Sequence, residues 1–441
     1  IQGTTPHFRC CVYKEREIIR GRVKLANGES PQPGKEPHLV NVISAACEGC
    51  PINRFRVTEN CQHCMAKHCV SACPFNAISV TSKGAYIDTD KCRECGRCAK
   101  VCPYNAIADL MRPCKRSCPV DAITMDSHKI ASIQEDKCIG CGACTKECPF
   151  GAISDISFMT KVIDALKSNK KVYAVFAPAI EGQFGADVTI GKIKPALKKL
   201  GFDECYEVAL GADAVADNEG KELKEALETG RKMTTSCCPA FVNMIEKHFP
   251  DLVSCMSETV SPMEAISRYI KLHDPKAVVV FIGPCIAKKG EAMRSYSTVD
   301  YVLTFEELLA MFDSQDITFD EDCEQEHDGS IYGRKFAQSG GVSGAVMRSF
   351  EENDVELSVA CNRCNGAAEC KKTLTLLKMG KLTEDFVEGM CCVEGCMAGP
   401  AAIAPATAVK AARAKLLMQE KDSSINEKLE KFDFTGVKMT R

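Results

Sequence analysis

The chain has 441 residues, 45% of them apolar, with 56 basic against 59 acidic side chains and a formal net charge of −3. Two to four domains with real cores are expected from this length and composition, and the balanced charge excludes nucleic acid or an anionic membrane as a main partner. The longest strongly apolar run, Ala277–Ile282, is far too short to span a bilayer, and Ile1-Gln2-Gly3 does not open a secretory signal.

Thirty cysteines against eight histidines set the class, and eighteen of the cysteines fall within residues 1–150. A disulfide scaffold is short and secreted, whereas zinc brings His or isolated CxxC pairs. Tight CxxC runs in a long chain point instead to a cytoplasmic iron–sulfur protein.

Residues 1–45 are polar, with Ser30-Pro31-Gln32-Pro33-Gly34, and are expected to be an extended leader in which Cys10 and Cys11 are plain thiols. From 46 to 154 a repeat ends four times in Cys-Pro-x-x-Ala-Ile, at Cys73, Cys102, Cys118 and Cys148. The separations of 29, 16 and 30 group the repeats into two pairs, each a duplicated unit that packs on itself. Repeat one supplies Cys61, Cys64, Cys69 and Cys73, repeat two Cys92, Cys95, Cys98 and Cys102, and repeat four Cys138, Cys141, Cys144 and Cys148. Three closely spaced thiolates wrap one cubane, and the Cys before Pro reaches the partner cluster. Crossing the fourth ligands gives one cluster on Cys61, Cys64, Cys69 and Cys102. A second is on Cys92, Cys95, Cys98 and Cys73, and a third on Cys138, Cys141, Cys144 and Cys118. Repeat three keeps only Cys114 and Cys118, so Cys114 and Cys148 lack two partners, and the unused Cys47-x-x-Cys50 fits that vacancy. Sixteen cysteines thus make four [4Fe–4S] clusters, an electron relay.

From 155 to 412 the texture is α/β. Strands are predicted at Lys171–Ala177 and Ala277–Ile282, with helices at Lys192–Leu200, Gly220–Leu227, Phe305–Phe312 and Ala368–Leu377. Residues 413–441 are Lys/Glu-rich and are expected to be a peripheral tail. Three segments carry a second cysteine set: Thr235-Ser236-Cys237-Cys238-Pro239, Pro284-Cys285-Ile286-Ala287-Lys288-Lys289-Gly290-Glu291, and Met390-Cys391-Cys392-Val393-Glu394-Gly395-Cys396. Two of them follow predicted strands, where loops gather at one end of a sheet. One cubane on Cys238, Cys285, Cys392 and Cys396 is the simplest solution. Cys361, Cys364 and Cys370 form C-x2-C-x5-C, read as free thiols around a turn and helix rather than as a further metal site.

In these three segments, taken in order, the sequence resembles the iron-only ([FeFe]) hydrogenases, over roughly residues 45–410. The resemblance implies an α/β catalytic domain preceded by α+β duplicated two-cluster-ferredoxin-like domains. It also implies anaerobic hydrogen metabolism, 2H⁺ + 2e⁻ ⇌ H₂, at an H-cluster. That group is a [4Fe–4S] cubane bridged to a two-iron unit with CO, cyanide and an azadithiolate. Carried over by motif, Cys238, Cys285, Cys392 and Cys396 hold the cubane, Cys396 bridging. Cys237 passes protons, since a thiol near neutral pKa can shuttle them. Lys288 donates to a cyanide, and Met390 packs near the bridging CO. Glu219 and Glu222, at i, i+3 on one helix face, with Ser257 and Glu291, correspond to the family's route to bulk water.

The resemblance is to a divergent subgroup. Ala240-Phe241 stands where Gly-Trp is common and Gly283 where Met is. Cys391, Val393 and Glu394 replace Ala, Pro and Gly, and Met397-Ala398-Gly399 replaces a Gly-rich run. The implied partners are a soluble ferredoxin or flavodoxin and the maturation proteins that load the two-iron unit, and no dinucleotide fingerprint is found. The rival readings are an H₂ sensor and an iron–sulfur assembly relative with little turnover.

Overall fold

The computed structural model describes residues 3–47, 50, 53–323, 326–418 and 423–441. Two compact units emerge, one formed by residues 42–134 with 143–153, the other by 1–41, 135–142 and 154–441.

The smaller unit is built from two-stranded pieces and one-turn helices. Phe55–Val57 pairs antiparallel with Ile107–Asp109, Ile78–Thr81 with Gly84–Ile87, and Ile123–Met125 with Ala131–Ile133. Phe55, Ile78, Ile87, Cys98 and Ile107 make a small core, against which Cys69, Cys73 and Cys92 pack. Each Cys-Pro-x-x-Ala-Ile repeat folds the same way. Its fourth residue, Asn76, Asn105, Asp121 or Gly151, has positive φ of 51°, 49°, 52° or 56°. Asn, Asp and Gly are the residues that tolerate this region. The turn then aims the Ala amide back at the cysteine that precedes Pro. Ala77, Ala106, Ala122 and Ala152 donate to the Sγ atoms of Cys73, Cys102, Cys118 and Cys148 at 3.4, 3.4, 3.2 and 3.3 Å.

Among the described residues the parallel sheets of the larger unit take seven strands: β1 Val172–Phe176, β2 Glu204–Glu207, β3 Met233–Thr234, β4 Val278–Gly283, β5 Tyr301–Thr304, β6 Cys361–Asn365 and β7 Phe386–Met390. They form two all-parallel sheets, in the orders β2-β1-β4-β5 and β3-β7-β6. All six residues of β4 are buried, as a parallel strand covered on both faces requires. The helices of this unit include α1 Val12–Ala26, α2 Val208–Glu228, α3 Pro239–His248, α4 Pro262–His273, α5 Ile286–Ala292, α6 Ala367–Lys378, α7 Ala406–Met418 and α8 Ile425–Lys431. Among the described residues no helix is long and apolar enough to cross a membrane.

The sequence-predicted strands and helices of the catalytic region all form, and Gly220–Leu227 is the end of the 21-residue α2. Two expectations are corrected. The stretch expected as an extended leader contains α1, which buries Val12, Glu15, Ile18, Gly21 and Leu25. Its inner stripe includes a carboxylate and a glycine, so apolar periodicity alone does not reveal it. Glu15 is held there by the amides of His7 and Arg9, at 2.7 Å each. The tail is not peripheral either. Arg413 on α7 is fully buried, and its guanidinium donates to Glu181 at 2.8 Å, a carboxylate shared with buried Arg334. The last residues pair with 258–260, Val260 donating to the Met439 carbonyl and Arg441 to that of Glu258.

Candidate active site

Parallel sheets gather their functional loops at the carboxyl ends of the strands, and here three such ends converge. β3 runs into Thr235–Cys238, β4 into Pro284-Cys285, and β7 ends at Met390 and runs into Cys391-Cys392. Cys238 and Cys285 then sit at the N-caps of α3 and α5. These loops wall a cavity lined by Cys237, Cys238, Cys285, Lys288, Met390, Cys391, Cys392 and Cys396 among otherwise apolar side chains. Cys285, Cys392 and Cys396 each lie within electrostatic reach of Cys238 and of one another. Four converging thiols in one buried cavity are the donor set of a cubane. The residues present therefore fit the family's cofactor.

The wall carries two further polar groups. Lys288 is buried, and its ammonium donates to Glu291 at 2.7 Å and to the Cys237 carbonyl at 3.3 Å. An ammonium has three donors, so one remains for an anionic acceptor in the cavity. Cys237 is buried beside it.

Behind Cys237 the carboxyls assemble on α2. Glu219 is completely buried, within electrostatic reach of Cys237. Burial, reinforced by the nearby charge of Glu222, pushes its carboxyl up to about 8. Its oxygens make no hydrogen bond of ordinary length, though Ser257 and Ser236 stand close enough to act on it. Glu222 accepts from Ser257 at 2.6 Å, from Thr259 at 3.0 Å and from the Glu258 amide at 2.8 Å. Glu219, Ser257 and Glu222 thus lie in sequence, and Glu291 pairs with Lys288.

The sequence reading missed Thr259, Cys391 and Arg441. Arg441 donates to the Ser236 carbonyl at 2.7 Å, next to Cys237, and acts electrostatically on Glu219. No motif marks it, because its place is set by pairing of residues 439–441 with 258–260. Cys391 stands beside Cys238, and its proximity is the first cause of the Cys238 thiol being drawn down to about 7. The Gly283 departure also has a physical basis. A Cβ there would lie 2.6 Å from the Phe281 ring, which occupies the space and lines the cavity.

In the smaller unit Cys69 is within reach of Cys64 and Cys102, and Cys98 of Cys92 and Cys95. Cys50 and Cys114 are each within reach of Cys47 and Cys148. Cys138 and Cys141 belong to the larger unit, while Cys118 and Cys144 belong to the smaller. Among the described residues no three His, Cys, Asp or Glu close on a single ion.

Residues 170–400 match the iron only hydrogenase large subunit, C-terminal domain. Residues 60–106 match a 4Fe-4S dicluster domain and residues 108–159 the LdpA Fe-S cluster-binding domain. The chain is 31% identical over 299 residues to iron hydrogenase 1 of Clostridium pasteurianum, covering 55% of this chain and 52% of that one. It therefore spans about half the length of that relative. It is 30% identical over 305 residues to the periplasmic [Fe] hydrogenase large subunit of Nitratidesulfovibrio vulgaris, covering 55% and 71%. A cytosolic Fe-S cluster assembly factor of Kluyveromyces lactis is 32% identical over 139 residues, 31% of this chain and 24% of that one. In fold, the chain is similar to an [FeFe]-hydrogenase of Chlamydomonas reinhardtii, with 23% identity, a TM-score of 0.54, and coverage of 62% of this chain and 93% of that one. The first of these domains alone accounts for more than half of the sequence, and the chain belongs to the iron-only hydrogenase large-subunit family.

Proposed function

We propose that this protein interconverts protons, electrons and H₂. The observation that carries the reading is the conjunction of four converging thiols, Cys238, Cys285, Cys392 and Cys396, with Cys237 and Lys288 on the same cavity wall. Cys238, Cys285, Cys392 and Cys396 would hold the H-cluster, which when bound supplies the metal chemistry of H₂ formation and cleavage. Cys237 holds and passes the proton at its Sγ. Glu219, whose carboxyl burial pushes up to about 8, accepts that proton on one Oε atom as it releases its own toward Ser257 from the other. Ser257 relays it to Glu222, and Arg441 holds the Ser236 carbonyl that frames this route. Lys288, fixed by Glu291, presents its remaining N–H to an anionic ligand, where a desolvated ammonium is strongest. Met390 and Phe281 keep the cavity apolar and exclude water.

Electrons reach this site through four [4Fe–4S] clusters on the sixteen cysteines Cys47 to Cys148, in the sets given by the repeat spacing. A soluble ferredoxin or flavodoxin in the cytoplasm exchanges them, and maturation proteins load the two-iron unit. An infrared spectrum of the matured protein together with an H₂ assay tests the reading. Metal-bound CO and cyanide bands with H₂ turnover are expected, and their joint absence overturns it.

A second reading, iron–sulfur assembly with little turnover, is favoured by the likeness to the Kluyveromyces lactis factor. Cys237 and Lys288, which a cluster carrier does not need, weigh against it. An H₂ sensor would share the spectrum but turn over slowly.

A further inference from the structure

Residues 135–142, the segment that carries Cys138 and Cys141, belong to the larger unit and are bound to α3 side by side. Lys247 donates to the carbonyls of Glu135 and Cys138 at 2.7 and 2.6 Å. His248 donates through Nε2 to the Lys137 carbonyl at 2.9 Å, and Asn243 through Nδ2 to the Ile139 carbonyl at 2.9 Å. Asn243 is itself fixed, because its Oδ1 accepts from Arg294 at 2.6 Å and Arg294 is held by Glu246 at 2.7 Å. The segment therefore runs from the last turn of α3 back toward its start, where Cys238 is the N-cap. Two glycines let it pack closely there. Gly140 and Gly142 have φ of +70° and +73°, and a Cβ on Gly140 would stand 2.7 Å from Leu39. A Cβ on Gly142 would stand 2.7 Å from Ile286 and 2.8 Å from Pro400. The residue after Cys141 is thus packed against the residue after Cys285 and against the loop that follows Cys396. A lysine in the last turn of a helix ordinarily complements its own helix end. Lys247 instead sets its ammonium on two carbonyls of another segment, one of them that of a cluster ligand.

We propose that Lys247 sets the redox potential of the cluster to which Cys138 and Cys141 belong, while Asn243 and His248 hold the segment in register with it. The step served is a one-electron exchange between that cluster and the cubane of Cys238. One is oxidised as the other is reduced, no bond forms or breaks, and no proton moves. Reduction adds one negative charge to the cluster. A fixed ammonium beside it favours that reduced level, because local charge is one of the levers that set cluster potentials. Lys247 acts through the Cys138 peptide and is a positioning residue. Asn243 and Lys247 are four residues apart and so share one face of α3, which keeps the charge and the tether on the same side. The proposal rests on the cluster reading of Cys138 and Cys141 and does not depend on H₂ chemistry.

Electron-resonance redox titrations of the iron–sulfur-loaded chain test it. Cys138→Ala identifies the signal, which is the one lost with about one cluster, roughly four irons by the [4Fe–4S] stoichiometry. In Lys247→Gln that signal is expected to persist at unchanged iron content, with its midpoint moved to a more negative potential. At a fixed poise near the midpoint, the ratio of reduced to oxidised cluster is expected to fall by up to about fivefold, the scale of one exposed charge. Lys247→Arg keeps the charge and is expected to hold the midpoint where it was. An unchanged midpoint in Lys247→Gln overturns the proposal. So does an equal shift in Lys247→Arg, since support of the segment would then account for the effect without the charge. If Cys138→Ala costs no cluster, the relay reading fails and this proposal with it. A midpoint shift in a chain without H₂ turnover leaves the proposal standing and overturns the hydrogenase reading instead.

Discussion

Cys237 and Glu219 carry the sharpest residue-scale consequences, because neither is needed to count to four thiols. Cys237→Ala is expected to cut H₂ turnover by about 100-fold or more, the scale of a lost general acid–base group, while iron content and infrared bands stay as they were. Near-normal turnover would remove Cys237 from the proton route. Glu219 allows a second measurement that needs no turnover. In the unfolded chain its carboxyl titrates near the model-peptide value, and in the folded protein near 8. Between these values folding takes up a proton, so the native state binds more protons than the unfolded one, and stability falls as pH rises from about 4.5 to about 8. Denaturant melts of Glu219→Gln are expected to be flatter over that window. The amide is neutral throughout and removes a penalty of up to about 4 kcal/mol at pH 8. The same variant is expected to slow H₂ turnover. An unchanged pH slope would mean that Glu219 is already ionised in the native state.

Among the elements, the legible ones advertise themselves by composition. β4 reads directly as Ala277–Ile282 because a strand buried on both faces must be uniformly apolar. The four Cys-Pro-x-x-Ala-Ile turns are equally plain as motifs, though their Ala–sulfur hydrogen bonds and positive-φ Asn, Asp and Gly are visible only in three dimensions. Helix α7 is the opposite case. Its buried side includes Arg413, a residue whose usual place is the surface, so the reading ends the domain at 412, inside a helix of a unit that runs on to the last residues. In fact Arg413 and Arg334 clasp Glu181 beneath the cavity, and Arg413 is within electrostatic reach of Cys396. Removing one partner of a buried ion pair leaves the other uncompensated. Arg413→Ala is thus expected to cost about 3–5 kcal/mol in denaturant unfolding and to lower cofactor retention. A loss below about 1 kcal/mol, the range of surface pairs, would return α7 to the periphery.

At the scale of the whole molecule, the chain divides its thirty cysteines by spacing, and spacing carries most of the cluster assignment but not all of it. Repeats one, two and four announce themselves because three ligands lie within a few residues. Repeat three does not, since two of its corners must come from outside the repeat. The sequence supplies Cys47 and Cys50 only by elimination. Cys114 is buried, and burial together with the negative charge of Cys148, Cys47 and Cys50 pushes its thiol up to about 11. Cys47 also accepts from the Ala131 amide at 3.3 Å and from Arg112 at 4.0 Å, the donors a ligand sulfur uses to spread its charge. Four thiols crowded with no metal would repel as they ionise, whereas one cubane neutralises all four. Cys50→Ala is therefore expected to cost about one cluster, roughly four irons by the [4Fe–4S] stoichiometry. The infrared bands of the H-cluster should persist, because its thiols belong to the larger unit. Cys10→Ala is the control and is expected to cost no iron. Full iron content in Cys50→Ala would show that Cys114 and Cys148 close their cubane with other ligands, and the crossing of the fourth cysteines would have to be redrawn.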